Sequence, residues 1–168
     1  PDHAGVPRLD RREPAARHGV RLVSANVNGI RAAVRRGGLS WLEDQNADIV
    51  CLQEVRATDD QLTTALGDAF DGWHLAHRPS GVRPGHAGVA ILSRWPLEVT
   101  DDLGEADEQG RWLAVRTNGV EVASVYVHTG EADTPAQDDK HRFLAAMGKW
   151  MEQRDRKSTR LNSSHEDL

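Results

Sequence analysis

Three short stretches hold the side chains best suited to chemistry, and each closes an apolar run. The first, Ser24-Ala25-Asn26-Val27-Asn28-Gly29-Ile30-Arg31, sets two carboxamides at alternate positions, so on one face of a strand, before a glycine that lets the backbone turn. Carboxamide oxygens suit a hard divalent cation, directly or through water; the same residues also read as an Asn-rich turn without a ligand. The second, Asp48-Ile49-Val50-Cys51-Leu52-Gln53-Glu54, delivers a carboxylate to the C-terminal end of a buried strand, the edge where open α/β sheets bind ligands. Mg2+ takes one or two carboxylates and keeps several waters, which makes Glu54 a metal-ligand candidate, the alternative being a solvated glutamate at a strand end. The third, Val122-Ala123-Ser124-Val125-Tyr126-Val127-His128, ends in the only tyrosine of the chain. Its phenol can donate to a phosphate oxygen or simply close the rim of a core. His128, two residues on, faces the same way, as a ligand, a base or a rim histidine. His74, His77, His86 and His141 show no metal-ligand spacing.

The elements that must position these residues alternate between strand and helix, so the fold class is α/β. Strands are expected over Arg21–Asn28, Asp48–Gln53, Trp73–His77 and Gly88–Ser93. Helices are expected over Leu39–Ala47, with Leu39, Trp41 and Leu42 apolar, and over Thr58–Phe70, with Leu62, Leu66 and Phe70 at helical spacing. Asn118-Gly119 joins strands Arg111–Arg116 and Val120–Val127 as a hairpin. A last helix begins at the cap Thr134 and Pro135, with Phe143, Leu144, Met147, Trp150 and Met151 as its inner face.

Composition narrows the function classes. The chain has 168 residues, 38% of them hydrophobic and 28% charged, as in an ordinary globular domain. A net charge of −5 excludes a protein that coats nucleic acid by bulk electrostatics, but not an enzyme that grips a few phosphates. One cysteine, Cys51, excludes an internal disulfide framework and a Cys-based zinc site. The lone cysteine fits a reducing, cytoplasmic setting, and no apolar stretch approaches the ~20 residues of a membrane helix, so no membrane partner is expected. The domain organisation has three parts: a flexible leader over 1–19, the α/β domain over 20–154, and a non-native or disordered tail over 155–168. Asp155–His165 (DRKSTRLNSSH) resembles one reading frame of a sequencing-library adapter.

NVNGIRA at 26–32 and ADIVCLQE at 47–54 together resemble the exonuclease III / apurinic-site endonuclease family, within the endonuclease/exonuclease/phosphatase superfamily. GHAGVAILSR at 85–94, DEQGRWLAV at 107–115 and SVYVHTG at 124–130 are similar to its later blocks, in family order. The resemblance runs from Val20 to about Arg154. It implies a four-layer α/β sandwich, a mixed sheet with flanking helices, of which this chain would supply an incomplete half, roughly one sheet. It also implies roles: Glu54 and Asn26 at an Mg2+ site (Mn2+ possible), Asn28 beside it, and Tyr126 on the scissile phosphate. Arg111 and Arg31 would lie near DNA, with Arg35 and Arg36 as further phosphate contacts. The implied reaction is Mg2+-dependent hydrolysis of a phosphodiester in double-stranded DNA, at an abasic site or a 3′ end, with no obligate protein partner. A phosphatase of the same superfamily, acting on a small or lipid phosphate ester, is the alternative.

Three departures from the family pattern bear on this. Arg56 stands where lysine is commoner, and His128-Thr129-Gly130 stands where many members have Pro-Asn/Gln-Gly. The Gly-Asp-x-Asn and Ser-Asp-His segments, which the resemblance assigns to orienting and deprotonating the water, do not occur in the chain. The polypeptide as written is therefore expected to be an inactive fragment of such an enzyme.

Overall fold

The computed structural model describes residues 19–100 and 102–163, with side chains as far as Arg156; most of the expected leader, and residues 164–168 of the expected tail, lie outside the described residues. In chain order the elements are β1 (Leu22–Asn26), α1 (Ile30–Arg35), α2 (Gly38–Asp44), β2 (Ile49–Gln53), α3 (Asp59–Leu66), β3 (His74–Arg78) and β4 (Val89–Ser93). Then come β5 (Leu97–Val99), a 3-10 turn (Gly104–Asp107), β6 (Trp112–Thr117), β7 (Val120–Val125) and α4 (Pro135–Ser163).

The strands form two sheets, ordered β1-β2-β4-β3 and β5-β6-β7. Only the β1–β2 pair is parallel; its register sets Leu22 opposite Ile49 and Asn26 opposite Gln53. Every residue of β2 and of β4 is buried, because both strands lie inside the first sheet and are covered on both faces. Alternation along β2 then serves two cores. Val50 and Leu52 face the helices, meeting Ile30, Leu42, Leu62 and Leu66, while Ile49 and Cys51 face the second sheet, meeting Leu113 and Val115. A third cluster seats α4 on the outer face of the second sheet, with Phe143 buried beside Trp112 and Ala114. Trp112 and Trp150 meet edge to face at 4.8 Å. Helices, sheet, sheet and helix make the four layers of the expected sandwich.

Local signals place the ends of several elements. Thr58 and Gln61 form a reciprocal capping box at the start of α3, with Asp59 and Asp60 in its first turn to complement the helix dipole. Asn118 (φ 46°) and Gly119 (φ 75°) supply the two positive φ angles that a tight two-residue hairpin loop requires.

Several expectations change. The chain holds strands of both sheets rather than roughly one. Helix α1 and strand β5 are additional to the expected elements, and α4 runs from Pro135 to Ser163. Trp41 is 52% exposed, not in the core, and Met151 is 56% exposed. The buried face of α4 is Phe143, Met147 and Trp150, spaced four and three residues apart, and the next place along it falls to Arg154, which pairs with Glu121 of β7 at 2.9 Å. No helix among the described residues is long and apolar enough to cross a membrane.

Candidate functional site

Parallel pairing of β1 with β2 brings Asn26 and Gln53 to one edge of the first sheet, and the chain beyond β2 continues directly into Glu54. Glu54 and Arg56 both have a φ of 51°, left-handed backbone that non-glycine residues rarely adopt. Neighbouring loops hold it there. Gly29 N–H donates to the Glu54 carbonyl at 2.7 Å, Ile30 N–H to that of Val55 at 2.9 Å, and Arg56 N–H to that of Ala87 at 2.9 Å. Strain of this kind costs about 1–3 kcal/mol per residue and survives where the surroundings over-determine it.

The Glu54 carboxylate is the hub. Asn26 Nδ2 donates to Oε1 at 2.7 Å, and the Arg56 guanidinium pairs with Oε2. The Asn26 hydrogen bond leads the effects that hold the Glu54 carboxyl below the usual carboxylate range; burial opposes it, and Tyr126 and Arg56 add to the lowering. Glu54 is therefore ionised at neutral pH. Asn28 takes part through its backbone, its N–H donating to Asn26 Oδ1 at 3.0 Å, which fixes the amide so that Nδ2 meets Glu54.

The second sheet supplies the opposite wall. Tyr126 follows β7, its N–H bound to the Arg111 carbonyl at 2.8 Å, with the Arg111 guanidinium 4.7 Å over its ring. Buried Asp107 accepts the backbone N–H groups of Arg111 at 2.7 Å and Trp112 at 2.8 Å, setting the entry to β6. Burial pushes the Asp107 carboxyl above its usual range, and these two hydrogen bonds pull against that. Gly110, between them, packs against the Pro79 carbonyl so closely that a Cβ would lie 2.4 Å from its oxygen.

A buried polar tie aligns the two walls. Gln53 Nε2 donates to Ser124 Oγ at 3.0 Å and to Ser24 Oγ at 3.2 Å, and Ser124 Oγ donates to the Leu52 carbonyl at 3.0 Å. Gln53 adjoins Glu54 and Ser124 lies two residues before Tyr126, so the tie sets the separation of carboxylate and phenol.

The structure thus gathers Asn26, Glu54, Tyr126 and Arg111 about one edge, with Asn28 contributing backbone. Arg31 and Arg35 line a neighbouring cleft of about 390 Å3 together with Arg56, whereas Arg36 lines a different one, of about 530 Å3, beside Asn26 and Trp41. His128 is buried, not at a rim: α4 covers it, and its ring meets Phe143 edge to face at 5.3 Å. The sequence reading missed Arg56 as the partner of Glu54, Asp107 as the cradle of the β6 entry, and the Ser24–Gln53–Ser124 tie. Among the described residues, no three or more His, Cys, Asp and Glu side chains gather as a metal cluster.

The sequence profile of the endonuclease/exonuclease/phosphatase family matches residues 23–165. The chain belongs to that family. Within it, the chain is 30% identical over 158 residues to an exodeoxyribonuclease of Bacillus subtilis (strain 168), covering 89% of this chain and 61% of the relative. It is 32% identical over 111 residues to the DNA repair nuclease APEX1 of Danio rerio, covering 64% of this chain and 36% of that protein. The fold is similar to that of a 3′-5′ exonuclease from Neisseria meningitidis, with a TM-score of 0.63 and 27% identity over 80% of this chain and 52% of the other. The chain therefore spans between about a third and three fifths of the length of these family members.

Proposed function

We propose that this chain carries the metal and phosphate end of an Mg2+-dependent DNA-repair phosphodiesterase, a cytoplasmic enzyme that incises double-stranded DNA at abasic sites or degrades it from 3′ ends. The observation that carries the reading is the ionised Glu54, held at a sheet edge by Asn26 from one side and facing Tyr126 and Arg111 from the other. The names of the relatives, an exodeoxyribonuclease and a DNA repair nuclease, support the same reading.

The donor set fits Mg2+, which accepts one carboxylate and keeps much of its water; Mn2+ would be held alike. Glu54 would bind the ion, and Asn26 would hold Glu54 in place for it. A bound ion would neutralise charge building on the phosphate oxygens and the leaving group. Tyr126 would turn its hydroxyl from Glu54 to the scissile phosphate, and Arg31 and Arg35 would take flanking phosphates. In this reading the 168-residue chain by itself is inactive, because no Gly-Asp-x-Asn or Ser-Asp-His segment in it supplies a group to deprotonate the water.

Two measurements test this. Mn2+ binding followed by water-proton relaxation should be lost in Glu54→Ala; binding that survives the substitution refutes the metal assignment. Incision of an abasic duplex with Mg2+ should not exceed that of Glu54→Ala, and incision above that control refutes the inactivity of this chain. Turnover of a phosphomonoester, with no DNA substrate cleaved by the longer relatives' equivalent of this protein, would favour the phosphatase alternative.

A further inference from the structure

A cavity of about 280 Å3 opens beside the Glu54 cluster, walled by Arg56, Arg111, Tyr126, His128 and Asp139, with exposed His86 also on its lining. Three of its wall residues each carry a buried side-chain nitrogen with no hydrogen-bond partner: Arg56 Nε, Arg111 Nη1 and His128 Nδ1. Arg56 Nε and Arg111 Nη1 are donors, and His128 Nδ1 is a third in one tautomer; an unsatisfied buried donor costs about 1–3 kcal/mol, so an acceptor from outside the chain would stabilise the cavity.

The charges say which kind. Arg56 is paired with Glu54, and Asp139 with Arg142, so both are compensated locally. Arg111 forms no ion pair among the described residues; its Nε donates to the neutral amide of Gln109 at 3.0 Å, and nearby Asp107 is taken up by two backbone N–H groups. Arg111 lies within electrostatic range of Asp107 but has no direct carboxylate partner among the described residues, and with the further open donors it makes an anion site. The His128 imidazole is 8% exposed and held in place by Phe143. Burial, then Arg111, keep it below the usual histidine range, against Asp139 and with Lys140, so at neutral pH it is uncharged and donates from Nδ1 in one tautomer.

We propose that this cavity is a second phosphate subsite, next to the phosphate that Tyr126 would contact, and that His128 is the donor that gives this chain the subsite. The ligand is a phosphate of a nucleic-acid strand; that choice of ligand rests on the nuclease reading, whereas the anion site rests on the cavity alone.

The test uses the whole chain in EDTA, with an abasic duplex followed by fluorescence anisotropy and inorganic phosphate as competitor. The variants are His128→Phe, which keeps a ring against Phe143, and His128→Gln, which keeps a donor; thermal unfolding checks that each is folded. His128→Phe should weaken both duplex and phosphate by about tenfold, the size of one lost charge-assisted hydrogen bond, and His128→Gln should recover most of it. Unchanged affinities in His128→Phe, or no competition by phosphate beyond that of sodium chloride at equal ionic strength, overturn the subsite. Weakening of phosphate alone, with duplex binding intact, overturns the nucleic-acid source. None of these outcomes depends on cleavage or on Mn2+ binding at Glu54, so the subsite and the nuclease reading can fail separately.

Discussion

Replacing Gly110 with alanine should destabilise the protein through one short contact and disturb the site through the same residue. The added Cβ would lie 2.4 Å from the Pro79 carbonyl oxygen, 2.6 Å from its carbon and 2.9 Å from the Arg78 oxygen, all backbone atoms that no side-chain rotation can clear. Ordinary non-bonded separations are about 3.5 Å, so a shift of roughly 1 Å is needed. Overpacking of this kind costs about 1–3 kcal/mol. Gly110 also has a φ of 66°, where an alanine costs about 1–2 kcal/mol more. The sum, about 2–5 kcal/mol, is a large share of the 5–15 kcal/mol typical of a domain. With a urea dependence of about 2 kcal/mol per molar, the midpoint of unfolding followed by circular dichroism should fall by roughly 1–2.5 M. Gly119→Ala is the control: its φ is 75°, yet nothing lies within 4 Å of the added carbon. It should show the backbone cost alone. Equal midpoint shifts for the two variants would refute the packing argument. Because the Gly110 carbonyl accepts from Gly88 N–H at 3.1 Å and the Gly88 carbonyl from Val55 N–H at 3.0 Å, Gly110→Ala should also perturb the Glu54 loop.

Carboxyl titration by carbon NMR should find Glu54 below its ordinary range and Asp107 above its own. Glu54 then contributes stability present above its unfolded pKa and lost as pH falls through the lower folded value. Asp107 contributes stability only when protonated, lost as pH rises through its raised folded value, and the reverse assignment of the two would contradict the site described. Phe143→Ala should lower stability by about 3–5 kcal/mol in urea unfolding, since the ring is fully buried between α4 and the second sheet; a cost under 1 kcal/mol would mean that α4 is not docked there. Burial pushes the Cys51 thiol up to about 12, so thiol reagents should label it only as the chain unfolds, and rapid labelling of the native protein would contradict its place between the sheets.

How much was legible in the sequence follows from how local each signal is. The start of the α3 helix at Thr58, the Asn118-Gly119 turn and the apolar run of β2 each need only neighbouring residues, and each is found where the sequence places it. Helix α1 has six residues, too few to display a period, and begins at a glycine with no capping side chain. Strand β5 has three, and owes its conformation to pairing with β6. At the site, Asn26, Glu54 and Tyr126 stand out because each ends an apolar strand. The tie from Gln53 to Ser124 spans 71 residues of sequence, and nothing local announces it. His128 looked like a rim residue for the same reason: only the return of α4 over the second sheet buries it.

The polar tie also divides the site between two pairings of very different chain separation. Asn26 and Glu54 are 28 residues apart and meet within one sheet, whereas Gln53 and Ser124 meet only when the second sheet has closed over the first. Long closures of this kind tend to come late. A nascent or partly refolded molecule with its first sheet formed would already own the carboxylate and its amide partner, yet lack the phenol and the Arg111 guanidinium. Joining the sheets is then the event that completes the site, and a partly assembled chain holds its acid without the groups that would bring a phosphate to it.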